Sequence, residues 1–205
     1  HKLGRITYNF EEDIIASAKT ICKRYKGNQA HAEYLEQMAG KFFDLLQKYH
    51  GLGERERLLL RLAAILHDCG KFISMSAPGE CAYQIIMSTE ILGISHMERE
   101  MVACIVRYNT MELPNFREFD GKLGNDEYLI VMKLAAILRV CNALDRSHRQ
   151  KFADMKLTIK DSNIVITTAY PDNITLEKKT LKDKQDFFEE VYGLGFEIKQ
   201  KKKKQ

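Results

Sequence analysis

Residues 58–74 read LLLRLAAILHDCGKFIS. From Leu58 to Leu66 every position except Arg61 is apolar, so the segment has no polar face to turn toward water. A helix that is apolar all round belongs in the middle of a bundle. The reading predicts a helix over residues 55–68, with Gly70 as its natural stop. Its last two residues, His67 and Asp68, are what packing alone does not explain. A carboxylate at the end of a buried helix needs a cation, an arginine or hydrogen-bond donors to offset its lost hydration. The negative end of the helix dipole lies there too, and it favours a bound cation. Arg61 stands two turns earlier on the same face. It could pair with Asp68, contact a phosphate, or form an unrelated buried ion pair.

Upstream, Asn28 caps a segment whose stripe is His31, Tyr34, Leu35, Met38, Phe42, Leu45, Leu46 and Tyr49, at helical spacing. His31 falls in the first turn, where the positive dipole end disfavours imidazolium. The neutral ring is the form that binds metal, although a core histidine bonded to a carbonyl would sit the same way. Downstream, residues 80–92 read as a third helix. Ser95-His96-Met97-Glu98 has the pattern of a capping box and opens a fourth, running to about Tyr108. Residues 114–125 are a polar loop, and 128–146 form a second nearly all-apolar helix. Its polar residues, Arg139, Asn142 and Asp145 or Arg146, recur every third position. Such a stripe lines a cavity or joins a buried hydrogen-bond network.

The period changes after Lys151. Residues 155–160 and 164–168 alternate around Asp161-Ser162-Asn163, as a hairpin does. Residues 174–178 read as a third strand, 182–192 as a helix and 195–199 as a last strand. A β-β-β-α-β unit of this size cannot bury a core of its own and must pack on the helices. The expected fold class is therefore mainly α: a helical domain over 1–150 and a small C-terminal α+β subdomain over 151–200. The lysine tail, 201–205, is expected to be disordered.

Composition narrows the function classes. The net charge of +4 is matched by Lys201 to Lys204 alone, so the body gives no reason to expect a specific nucleic-acid partner. The five cysteines, Cys22, Cys69, Cys81, Cys104 and Cys141, are odd in number and contain no C-x-x-C pair. They read as free thiols of a cytoplasmic protein. No apolar run is long enough for a membrane span, and no signal peptide is visible. The chain starts at His1 without an initiator methionine, so it is expected to begin inside a longer protein.

His31, then His67-Asp68, then a distant Asp145 lie on three separate helices. That order resembles the HD superfamily of metal-dependent phosphohydrolases, whose signature is H…HD…D. The resemblance implies an HD-domain helical bundle in which His31, His67, Asp68 and Asp145 hold a single divalent metal: Mn, Zn, Fe, Ni or Mg. The stretches LLLRLAAILHDCGKFIS, STEILGISHMEREMVACIVRYN (88–109) and LAAILRVCNALDRSH (134–148) extend the likeness. They are similar to the C-terminal domain of the bacterial exopolyphosphatase/guanosine pentaphosphate phosphohydrolase (Ppx/GppA) family. In that family catalysis belongs to an N-terminal actin-like domain, and no Gly-rich phosphate loop of that kind occurs here. The resemblance implies an accessory role, binding polyphosphate or a (p)ppGpp-type anion and supporting a homodimer. An autonomous metal-dependent phosphohydrolase and a degenerate HD fold used for interaction or sensing are the alternatives. The chain departs from many relatives in having no histidine between His67 and His96, and in reading Arg107-Tyr108-Asn109 where they read Arg-Tyr-His. Both departures argue against a binuclear site. The basic residues expected nearest a phosphate are Arg61, Lys71, Arg107, Arg139, Arg146 and His148, with Arg149 beside them.

Overall fold

The structure is a computed structural model that describes residues 2–119 and 123–201, with side chains from residue 10 onward. In chain order the elements are α1 (Lys2–Arg24), α2 (Gln29–Leu45), α3 (Gln47–His50), α4 (Glu54–Leu66), α5 (Pro78–Ser88), α6 (His96–Thr110) and α7 (Asn125–Leu144), then β1 (Lys156–Lys160), β2 (Asn163–Thr168), α8 (Thr175–Tyr192) and β3 (Gly195–Gln200). The protein is thus mainly helical, with one small three-stranded sheet at the C-terminal end. The expected disorder of residues 202–205 and the middle of the 114–125 loop lie outside the described residues.

The helix of residues 58–66 is central, as its all-apolar surface requires. It packs against α1, α2, α6 and α7. All of its residues from Leu58 to Leu66 are buried except Arg61. Arg61 pairs with Glu36 of α2 at 2.8 Å and with Glu11 of α1 at 3.2 Å, not with Asp68. Glu36 is itself buried, so the arginine neutralises a buried carboxylate of α2.

Caps fall where side-chain chemistry places them. Asn28 Oδ1 accepts the His31 N–H at 3.1 Å. Ser95 Oγ accepts the Glu98 N–H at 3.1 Å, while a Glu98 carboxylate oxygen accepts the Ser95 N–H at 2.9 Å. The stripe on α2 is buried through Phe42 and again at Leu46, the residue that follows the helix end at Leu45, while Tyr49 is turned out, 49% exposed. α5 runs from Pro78 to Ser88, earlier at both ends than the 80–92 reading.

Gly70 serves space more than helix termination. A Cβ there would lie 2.0 Å from the Pro78 carbonyl oxygen and 2.6 Å from the Ala82 nitrogen. Both are backbone atoms of the α5 entry and cannot rotate away. Gly70→Ala is therefore expected to destabilise by about 3 kcal/mol, at the upper end of overpacking costs. Urea unfolding measures it, and an unchanged midpoint would show that α5 yields freely.

In the C-terminal part, β1 and β2 pair antiparallel with Lys160 opposite Asn163. Asp161 and Ser162 both take positive φ, 51° and 61°, as a tight two-residue hairpin turn demands. β3 lies parallel to β2, and α8 supplies the crossover. The expected strand at 174–178 is instead the first turn of α8. Ile174, Glu177, Leu181, Phe188 and Tyr192 are all buried, which is a helical stripe. The charge at Glu177 hides that stripe from a hydrophobicity reading. α8 packs on α7, so the subdomain borrows the core of the bundle.

Candidate metal centre

Three helix ends meet in one buried cluster. The first turn of α2 brings His31, the end of α4 brings His67 and Asp68, and the end of α7 brings Asp145. All four side chains are buried. His31 Nδ1 lies 2.5 Å from Asp145 Oδ2, and the other Asp145 oxygen accepts the Gln150 N–H at 2.8 Å. His67 Nδ1 lies 2.6 Å from the Ala64 carbonyl oxygen.

Those contacts fix where the protons are. A carbonyl oxygen only accepts, so His67 Nδ1 carries its hydrogen. An ionised carboxylate only accepts, so His31 Nδ1 carries its hydrogen as well. In the neutral rings both Nε2 atoms are then lone-pair nitrogens, and they face each other at 3.1 Å. Asp68 adds Oδ1 at 3.2 Å from His67 Nε2 and Oδ2 at 3.9 Å from His31 Nε2. Gathering electron-rich atoms this closely requires a cation among them, a proton or a metal ion. Metal–ligand bonds of about 2.0–2.2 Å at angles from octahedral to tetrahedral hold two ligand atoms about 2.8–3.6 Å apart. The two shorter separations fall inside that window. Two imidazoles and a carboxylate suit Zn, Mn, Fe or Ni better than Mg.

Of the four residues expected to converge, His31, His67 and Asp68 therefore direct ligand atoms at a common point. Asp145 stands behind His31, on its other ring nitrogen, with both oxygens engaged. That is the carboxylate–histidine arrangement which orients a metal-binding ring. Burial by itself would raise the Asp68 carboxyl. When the cation among these atoms is a proton on His67, its charge and the Lys71 ammonium, 2.8 Å from Asp68, outweigh burial and hold the group below the usual carboxylate range.

His148 sits over the cluster. Its ring stacks on His31 with centroids 3.8 Å apart and an interplanar angle of 16°. One ligand atom each from His31, Asp68 and His148 lie within 4.8 Å of one another. Burial, then the neighbouring His31, lower the His148 pKa from its ordinary value. The turn that carries it is tense: His148 and Gln150 both have left-handed backbones, φ 56° and 53°.

Among the basic residues expected near a phosphate, Lys71 and His148 are at the cluster. Arg146 and Arg149 are exposed on the adjoining turn. Arg61 is taken by Glu36 and Glu11. Arg107 bonds Glu80 at 2.6 Å and covers the Tyr83 ring at 3.6 Å. Arg139 donates to the Tyr108 and Met111 carbonyls at 2.7 and 2.5 Å, closing the end of α6. All three guanidiniums are engaged by other groups of the protein. Sequence reasoning missed Gln150 altogether and saw Asn28 only as a cap, though its Nδ2 reaches His148 Nδ1 at 3.3 Å. A cleft of about 530 Å³ between α1 and the end of α5, lined by Ser17, Thr20, Arg24 and Thr89 among others, shares no residue with the cluster. Its hydroxyls are spent on helix carbonyls, and its size alone gives it no chemistry.

The five cysteines are free, four of them buried. Desolvation pushes the thiols of Cys69 and Cys104 up to about 12, so they are unreactive packing groups. No helix among the described residues is long and apolar enough to cross a membrane.

A search of curated proteins finds no match to this chain. Residues 15–186, which include every residue of the cluster, match the family described as Ppx/GppA phosphatase, domain III. On that match over most of its length, the chain belongs to the Ppx/GppA phosphatase family.

Proposed function

We propose that this domain binds the phosphate chain of polyphosphate or a pppGpp-type nucleotide through one divalent ion held by His31, His67 and Asp68. It does so as an accessory part of a phosphohydrolase. The bond-breaking groups of that enzyme belong to an actin-like domain of the same protein, and the whole works as a cytoplasmic homodimer. The observation that carries the reading is the pair of Nε2 lone pairs facing each other at 3.1 Å beside the Asp68 carboxylate. The ion supplies positive charge for phosphoryl oxygens. Lys71 adds a flexible ammonium at the same rim.

Membership of a polyphosphate/pppGpp phosphatase family supports the substrate class, and the label domain III describes one part of multidomain proteins. One feature favours a second reading, an autonomous hydrolase: three protein ligands leave a coordination position for water, which a metal can activate. Against it stand the missing histidines between His67 and His96 and the asparagine at position 109.

Phosphate release from polyphosphate and from pppGpp, with Mn, Mg or Zn added, tests the choice. The expected outcome is salt-sensitive binding of polyphosphate without turnover, since a polyanion releases counterions on binding. Robust turnover that His67→Ala and Asp68→Ala both abolish would establish the autonomous enzyme instead. Absence of both metal and anion binding would leave a fold used for interaction.

A further inference from the structure

Asn28 decides what His148 has to offer. The oxygen of the Asn28 amide is committed to the cap of α2, where it accepts the His31 N–H at 3.1 Å. The nitrogen of the same amide lies 3.3 Å from His148 Nδ1. An NH₂ group donates and does not accept, so His148 Nδ1 must be the lone-pair nitrogen. The assignment does not depend on how the amide is drawn: reversing it would set the NH₂ against the His31 N–H. Neutral His148 therefore keeps its one ring hydrogen on Nε2.

His148 is exposed on its outer side, but three contacts set the position of its ring. It lies flat on His31, its backbone N–H bonds the Asp145 carbonyl at 2.9 Å, and its φ of 56° fixes its exit from the turn. A ring nitrogen of His148 lies within 4.8 Å of ligand atoms of His31 and Asp68, and with Nδ1 taken by Asn28 the nitrogen left to donate there is Nε2. To act as a metal ligand, His148 would have to give up either that hydrogen or its bond from Asn28.

We propose that His148 is a hydrogen-bond donor to a phosphoryl oxygen of the metal-bound anion, not a metal ligand, and that Asn28 is the positioning residue that holds it in the donor tautomer. This rests on the reading of the cluster as a metal–phosphate site. Lys71 supplies charge to the same anion, and His148 supplies direction. The division explains why a histidine close enough to join the metal ligands stays outside them.

The test is Asn28→Asp. Aspartate caps a helix as well as asparagine, so α2 is kept. Its carboxylate accepts, so the His148 hydrogen moves to Nδ1 and Nε2 becomes a lone pair. Ring nitrogen NMR shifts of histidine-labelled, metal-free protein, taken where the imidazoles are neutral, read the tautomer directly. The wild type is expected to show Nε2–H and Asn28→Asp to show Nδ1–H. With Mn²⁺ present, tripolyphosphate should bind about 10–100-fold more weakly to Asn28→Asp and to His148→Leu, the loss of one hydrogen bond to a charged group. His148→Gln, which keeps an N–H donor, should recover part of it. The added charge of Asn28→Asp is separated by making it in the His148→Leu background, where a further loss of less than about 3-fold is expected if donation is the cause.

An Nδ1–H signal in the wild type overturns the proposal. So does an unchanged tripolyphosphate affinity in His148→Leu, or a loss of Mn²⁺ in that variant as large as in His67→Ala. If the wild type holds no Mn²⁺, the metal–phosphate reading fails. The tautomer result, obtained without metal, still reports on Asn28 and His148 separately.

Discussion

Glu177→Ala is expected to lower the unfolding free energy by about 3–5 kcal/mol, the usual cost of breaking a buried ion pair from one side. Glu177 is 0% exposed on α8. One of its oxygens accepts the Ser147 hydroxyl at 2.6 Å, and the other lies 3.3 Å from Lys151 Nζ. Lys151 also donates to the Asn173 carbonyl at 2.7 Å and lies 5.6 Å from the centre of the Tyr170 ring. Alanine would leave that ammonium desolvated without its counter-charge. Glu177→Gln keeps an acceptor for Ser147 and should lose distinctly less. Urea unfolding of the two variants measures the difference. A loss below about 1 kcal/mol for Glu177→Ala would mean that Lys151 escapes to water.

Asp145→Asn is expected to weaken divalent-metal binding about 10–100-fold, the usual effect of removing the partner that orients a ligating histidine. The carboxylate accepts from His31 on one oxygen and from the Gln150 N–H on the other. An amide has one oxygen, so one of those N–H groups would face an NH₂. His31 would lose its fixed orientation while remaining a ligand. His67→Ala, which removes a ligand, should lose stoichiometric metal altogether on dialysis. Competition with a chelator separates the two grades of effect. If Asp145→Asn proves as severe as His67→Ala, then Asp145 binds the ion itself.

Much of the fold was legible because local rules and tertiary packing agree. The all-apolar run from Leu58 to Leu66, the caps at Asn28 and Ser95 and the alternation around Asp161 each name their element from a few neighbouring residues. The start of α8 was not legible, because its buried stripe contains Glu177, whose partners Ser147 and Lys151 lie on another segment. Arg61 failed in the same way: its partners are 25 and 50 residues away in the chain, and spacing along one helix points to Asp68 instead. For the cluster, the residue types and their order were readable, but the roles were not. Whether Asp145 faces an ion or the back of His31 depends on side-chain rotation, which no spacing encodes. The Asn28–His148 contact spans 120 residues, and the cap at Asn28 gave a sufficient local reason for that residue to be there.

The Ser147–Glu177–Lys151 contact also sets an order of events in biosynthesis. When the ribosome has released residues up to 150, every imidazole and carboxylate of the cluster is already outside. The tense turn through His148 and Gln150 is still without the buried carboxylate that holds it from α8. At roughly 5–20 residues per second, the chain through Tyr192 follows some seconds later. During that interval the nascent helices expose loosely arranged histidines and acids. The arrangement that favours one ion and one direction of approach is completed only when α8 docks.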